Sequence, residues 1–148
     1  MSSETATAPA RSELRDLSGW TFFDAVASLG GRILLSAIFL ISGFGKIAAP
    51  AGAIEYIAAA GLPFPQLAYG IAVVLEIVGG LALITGFRTR LVAAALAVFC
   101  LATAFGFHNQ LADQNQFVHF FKNVAMAGGL LQIVAFGAGR FSVDARNR

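Results

Sequence analysis

Lys46, Glu76, His108, Lys122 and Asn123 stand in or at the ends of stretches that otherwise carry almost no polar atoms. A charged group in hydrocarbon costs at least ~2.5–3.5 kcal/mol, so each of them needs a reason to be there. Two ammonium groups, a carboxylate, an imidazole and an amide can pair as ions, hold an anion, or pass protons to a ring carbonyl. Lys46 follows "ISGFG"; it either snorkels to the interface along its apolar stem or lines a polar pocket. Glu76 is too short and too central to snorkel. It calls for an ion pair with Lys46 or Lys122, a proton, or a functional role. His108 ends an apolar stretch, where it caps a helix, faces water or enters the pocket. His119 and Asp113 fall in "HNQLADQNQFVH" and read as solvated loop groups. Cys100, in "AVFCLATAF", reads as a small buried hydrophobe. One cysteine makes no internal disulfide or CxxC pair, and no zinc-type ligand cluster occurs, so no metal site is expected.

The elements that must hold these residues follow from composition. The chain of 148 residues is 57% hydrophobic and 12% charged, with a mean hydropathy of +0.75. A soluble domain carries about 25% charged residues. Four apolar stretches, 30–49, 66–87, 91–107 and 120–139, are each long enough to cross about 30 Å of hydrocarbon. Only helices satisfy their own backbone there, so the expected fold is all-α: a polytopic membrane protein with a bundle of four transmembrane helices. Prolines at 50, 63 and 65 break the chain between the first two stretches, and "RTR" (88–90) turns it between the next two. Residues 1–29 read as a polar and amphipathic cytoplasmic extension, and 30–145 as the transmembrane domain. Residues 14–31 have the spacing of a short interfacial helix with Trp20 at headgroup level. The residues before Pro9 read as a mobile tail. The layout is not that of a cleaved signal peptide.

Net charge is +2, with no basic run, which gives nucleic-acid binding no support. Arg11, Arg15, Arg32, Arg88, Arg90, Arg140, Arg146 and Arg148 all fall on one side of a four-span chain. That bias puts both termini in the cytoplasm of a bacterial inner membrane protein. Counted from the arginines at 1.5 Å per residue, Lys46 and Glu76 lie about 18–21 Å up, and His108 and Lys122 about 27 Å up. The expected result is an outward-facing pocket of Lys46, Glu76, His108, Lys122 and Asn123. Helical spacing sets Arg32, Ser36, Phe39, Gly43 and Lys46 on one face, and Tyr69, Val73, Glu76, Gly80 and Leu83 on another. In the fourth stretch the same spacing selects Lys122, Ala125, Gly129 and Gln132. Gly43, Gly79, Gly80 and Gly129 are the expected points of close helix approach.

At these positions the chain resembles the DoxX family of small bacterial four-helix membrane proteins, over about residues 30–145. The motifs are "SGFGKI" (42–47), "GLPFP" (61–65), "LEIVGGLALITGFRTR" (75–90), "FH" (107–108), "FFKNVAMAGGLL" (120–131) and "GRFSVDA" (139–145). The resemblance implies a polytopic inner-membrane protein whose recurring polar positions are matched by Lys46, Glu76, His108 and Lys122. Gly43, Gly79, Gly80 and Gly86 match its packing glycines, and Arg88, Arg90, Ser142 and Asp144 its cytoplasmic edge. Some relatives are described as subunits of thiosulfate:quinone oxidoreductase or as members of membrane redox complexes. This chain has no bis-histidine haem arrangement, no cysteine pair and no flavin fingerprint. The expected function is therefore an accessory subunit of a quinone- or sulfur-linked oxidoreductase complex, not catalytic alone. Its environment is the lipid bilayer; its partners are other redox subunits or a second copy of itself. No cofactor is evident, and a quinone is the candidate. The alternatives are a small transporter or channel subunit with a buried Lys/Glu/His relay, and a non-catalytic scaffold.

Overall fold

The computed structural model describes residues 11–146, with side chains from Phe22 onward. The expected tail before Pro9 and the headgroup placement of Trp20 lie outside the described residues. Among those described there are helices and turns and no strand. Four helices are long and apolar enough to cross a membrane: Phe22–Ala48, Pro65–Thr85, Thr89–Phe107 and Gln114–Phe136. The chain is a polytopic helical membrane bundle.

The first span departs from expectation at its start. It belongs to one helix of 38 residues, Arg11–Ala48, which runs through Gly30 and Gly31 without a break. No separate interfacial helix is set off at that point. A glycine costs a helix about 1 kcal/mol, too little to interrupt hydrogen bonding that lipid makes obligatory.

The linker also gains structure. Pro50–Ala59 forms a short helix that starts on its proline, whose missing N–H costs nothing at that position. Phe64 adopts a left-handed conformation (φ 55°) before Pro65, which opens the second span. At Leu75–Gly79 the second span widens into a π-helical turn, and Glu76 lies inside it. Gly86, with φ 72°, ends that span in a left-handed C-cap.

Packing sets where the helices converge. A core of Phe39, Leu83, Ala93, Leu96, Ala97, Cys100, Ala127 and Leu130 joins all four spans. Gly43 and Gly80 permit the first two spans to touch: a Cβ at Gly43 would lie 2.7 Å from Ile77, and one at Gly80 2.9 Å from Leu40. Gly79 faces Leu96 of the third span at 3.1 Å. Gly129 is looser, with Leu35 at 3.5 Å.

At the arginine end the bundle is tied by polar groups. Arg32 is fully buried and donates to the carbonyls of Leu83 (3.1 Å), Ile84 (2.8 Å) and Phe141. It thus serves carbonyls left open at the end of the second span, a duty that reading it as a flanking charge does not foresee. Asp144 accepts from the backbone N–H groups of Arg88 and Thr89, both at 2.8 Å, and from the Thr89 hydroxyl at 2.7 Å. It caps the third span from the far end of the sequence.

Candidate polar cavity

Away from the arginines, a cavity of about 610 Å³ opens among the four spans and the short helix. Lys46, Glu76, His108, Lys122 and Asn123 all line it, and so does His119. Its walls are mostly apolar and include Ile38, Phe39, Ile71, Phe99 and Met126. The short helix contributes Ala53, Tyr56 and Ile57, and Tyr56 stacks on Phe107 with ring centres 5.5 Å apart.

One polar group is built between the first two spans. The Lys46 ammonium donates to both carboxylate oxygens of Glu76, at 2.8 and 3.0 Å. It also donates to the Ser42 hydroxyl at 2.8 Å, and that hydroxyl donates to Glu76 Oε1 at 3.0 Å. Ser42 precedes Lys46 by one helical turn, which puts both on the face that meets Glu76. The Glu76 side chain is 5% exposed and that of Lys46 25%. The partner of Glu76 is therefore Lys46, not Lys122, and Lys46 turns inward instead of snorkelling. Tyr69 adds a hydrogen bond from its hydroxyl to the Lys46 carbonyl at 3.2 Å.

The other polar group joins the third and fourth spans. His108 caps the third span, and its ring stacks on His119 at 5.0 Å. His108 Nδ1 lies 2.9 Å from Gln116 Oε1. A carbonyl oxygen only accepts, so His108 Nδ1 donates to it. The Lys122 ammonium lies 3.0 Å from His119 Nδ1 and donates to it, which leaves the His119 proton on Nε2. The stacked pair therefore presents the His119 Nε2–H as a free donor. Below them Asn123 donates to the His119 carbonyl at 3.0 Å, and its Oδ1 lies 3.2 Å from the Thr103 hydroxyl.

Two sequence expectations are corrected here. His119 is no loop group, because the fourth span starts at Gln114 with Asp113 as its N-cap, accepting from the Gln116 N–H at 2.9 Å. Asp113 is likewise a cap and not a free loop charge. The buried face of the fourth span is Asn123, Ala127 and Leu130, while Lys122, Ala125 and Gln132 are exposed. The helix is turned by one residue, about 100°, from the face that polar spacing selects. Lys122 reaches the cavity from the rim of that face. Ser42, Thr103 and Gln116 escape sequence reading, although the i−4 spacing of Ser42 to Lys46 is a usable signal.

A mostly apolar cavity with two polar groups on its wall can hold a small, mostly apolar molecule that carries hydrogen-bonding atoms. Among the described residues no group of three or more metal-ligating side chains occurs. The relation to known proteins fits the four-span fold. The chain is 40% identical over 119 residues to the inner membrane protein YqjF of Escherichia coli (strain K12), covering 80% of this chain and 90% of that protein. It is 36% identical over 126 residues to the inner membrane protein YphA of the same organism, covering 82% and 90%. No solved structure matches it. The DoxX family model matches residues 27–109, which takes in Lys46, Glu76 and His108 and stops before the fourth span. With four membrane-crossing helices and these matches, the chain belongs to the DoxX family.

Proposed function

We propose that this protein is an accessory subunit of an inner-membrane redox complex and that its cavity receives a quinone headgroup. One observation carries the reading: two separate polar groups face a single, mainly apolar cavity of about 610 Å³. That size lies in the range of pockets that enclose small organic ligands, about 300–1,000 Å³. A quinone ring presents two carbonyl acceptors on opposite edges of a flat apolar body. The His108–His119–Lys122 group has donors free for one carbonyl, whereas at the Lys46–Ser42–Glu76 group the second carbonyl competes with Ser42 and Glu76 for the Lys46 N–H groups. A small sulfur oxyanion suits the cavity less well, because Glu76 already neutralises Lys46. The chain supplies binding and proton-bearing groups; electron transfer falls to a partner.

The inner-membrane location is supported by the two Escherichia coli relatives, both inner membrane proteins. The gathering of Arg32, Arg88, Arg90 and Arg140 at one end supports cytoplasmic termini. Purification in a mild detergent, with extraction of bound lipids and identification of companions, tests the proposal. Quinone and a redox partner should come with the wild type. A protein that emerges empty and alone from cells expressing its partner contradicts it.

The Lys46–Ser42–Glu76 network also favours a second reading, a scaffold in which the ion pair only fixes the register of two helices. Under that reading Lys46→Leu with Glu76→Leu leaves cellular function intact. Under the first it abolishes function while the protein still folds.

A further inference from the structure

The arginine end carries a second concavity, of about 460 Å³, between the start of the third span and the chain leaving the fourth. Arg88, Arg90 and Arg140 line it, with Leu91 and Phe136 on its apolar side. Among the described residues its one lining carboxylate is Asp144, whose oxygens already accept two backbone N–H groups and a hydroxyl. Arg90 makes one long hydrogen bond, 3.3 Å to the Ala135 carbonyl. Among the described residues the Arg88 and Arg140 side chains meet no carboxylate at ion-pair distance. Three guanidinium groups against one occupied carboxylate leave the concavity positive.

Its apolar side points the same way. Leu91 is 66% exposed and Phe136 80% exposed, each at the end of a membrane-crossing helix. A charged recess that continues into an exposed apolar flank has the profile of a phospholipid at the level of its phosphate. Gly137 and Gly139, both at positive φ, leave the Ala138 methyl as the one side chain on the intervening backbone. The geometry points to a binding site for the phosphodiester headgroup of an anionic phospholipid, with acyl chains lying along Leu91 and Phe136. Guanidinium groups grip phosphate oxygens through paired N–H donors, and basic recesses between spans take anionic headgroups. Free phosphate shares that chemistry but has no use for the apolar flank. The site is independent of the redox reading of the cavity.

The test uses the full chain in phosphatidylcholine nanodiscs titrated with phosphatidylglycerol, retained lipid being counted by native mass spectrometry after mild release. The wild type should hold phosphatidylglycerol in preference to phosphatidylcholine. Arg140→Gln, outside every span, should weaken that preference about fivefold, and each further change at Arg88 and Arg90 by about as much again. Millimolar inorganic phosphate should leave the lipid in place. A folded Arg140→Gln protein and a folded triple variant that retain phosphatidylglycerol like the wild type overturn the assignment. Displacement by inorganic phosphate also overturns it, in favour of a free-anion site.

Discussion

Lys46→Leu should destabilise the bundle more than Glu76→Leu, although both remove the same ion pair. Without Lys46, Glu76 is a carboxylate only 5% exposed whose remaining hydrogen bond among the described residues comes from Ser42. Without Glu76, Lys46 keeps 25% of its side chain exposed and can extend its stem toward the interface. At the observed 2.8 Å and an effective dielectric of about 20, the Coulomb attraction is about 6 kcal/mol before desolvation is subtracted. Stripping one partner from a buried pair costs about 3–5 kcal/mol, and that range applies to Lys46→Leu. Glu76→Leu should fall to about 1–2 kcal/mol, because the stranded ammonium has a route to water. The double Leu variant should return to within about 1 kcal/mol of wild type, since neither charge is then stranded. Reversible unfolding in mixed micelles, followed by far-UV circular dichroism, measures all four proteins. Equal costs for the two single changes refute the reasoning. So does additivity within about 0.5 kcal/mol, the behaviour of sites that do not interact.

Gly43→Val should cost about 1–3 kcal/mol in the same assay, because Ile77 already lies 2.7 Å from a Cβ there. Gly129→Ala, with Leu35 at 3.5 Å, should stay within about 0.5 kcal/mol of wild type. Arg32→Lys should destabilise nearly as much as Arg32→Ala, by about 3 kcal/mol or more, since one ammonium cannot span the carbonyls of Leu83, Ile84 and Phe141; melting temperatures in detergent read the pair. Asp144→Ala should remove about 1–2 kcal/mol and loosen the C-terminal segment, which limited proteolysis detects.

The four spans were legible because lipid leaves the backbone one solution and length with hydropathy reports it. The five polar cavity residues were legible for a related reason: an ionisable group in an apolar stretch stands out against a short list of tolerable roles. Their facing was harder to read. In the fourth span Lys122 and Gln132 do not mark the buried side, since both are exposed and the buried face is Asn123, Ala127 and Leu130. His119 was hidden because the segment before Phe117 is as polar as a loop, and the helix is started by the Asp113 cap rather than by an apolar run. Helical spacing puts Arg32 on the face of Ser36, Phe39 and Gly43, which is buried, but the carbonyls it serves are not legible, because Phe141 arrives from the far end of the chain. The π-helical turn at Leu75–Gly79 leaves no sequence mark beyond Gly79, which packs on Leu96 of the third span.

The most direct test of the central claim is titration of the purified protein with a short-chain quinone, followed by quenching of its intrinsic fluorescence. The wild type should bind with saturation. His119→Phe, which removes a donor but keeps a ring against His108, should weaken binding about tenfold, the equivalent of about 1.4 kcal/mol for one hydrogen bond. The double change Lys46→Leu with Glu76→Leu should weaken it at least as much. Quinone binding that is absent in the wild type, or unchanged in both folded variants, contradicts the account.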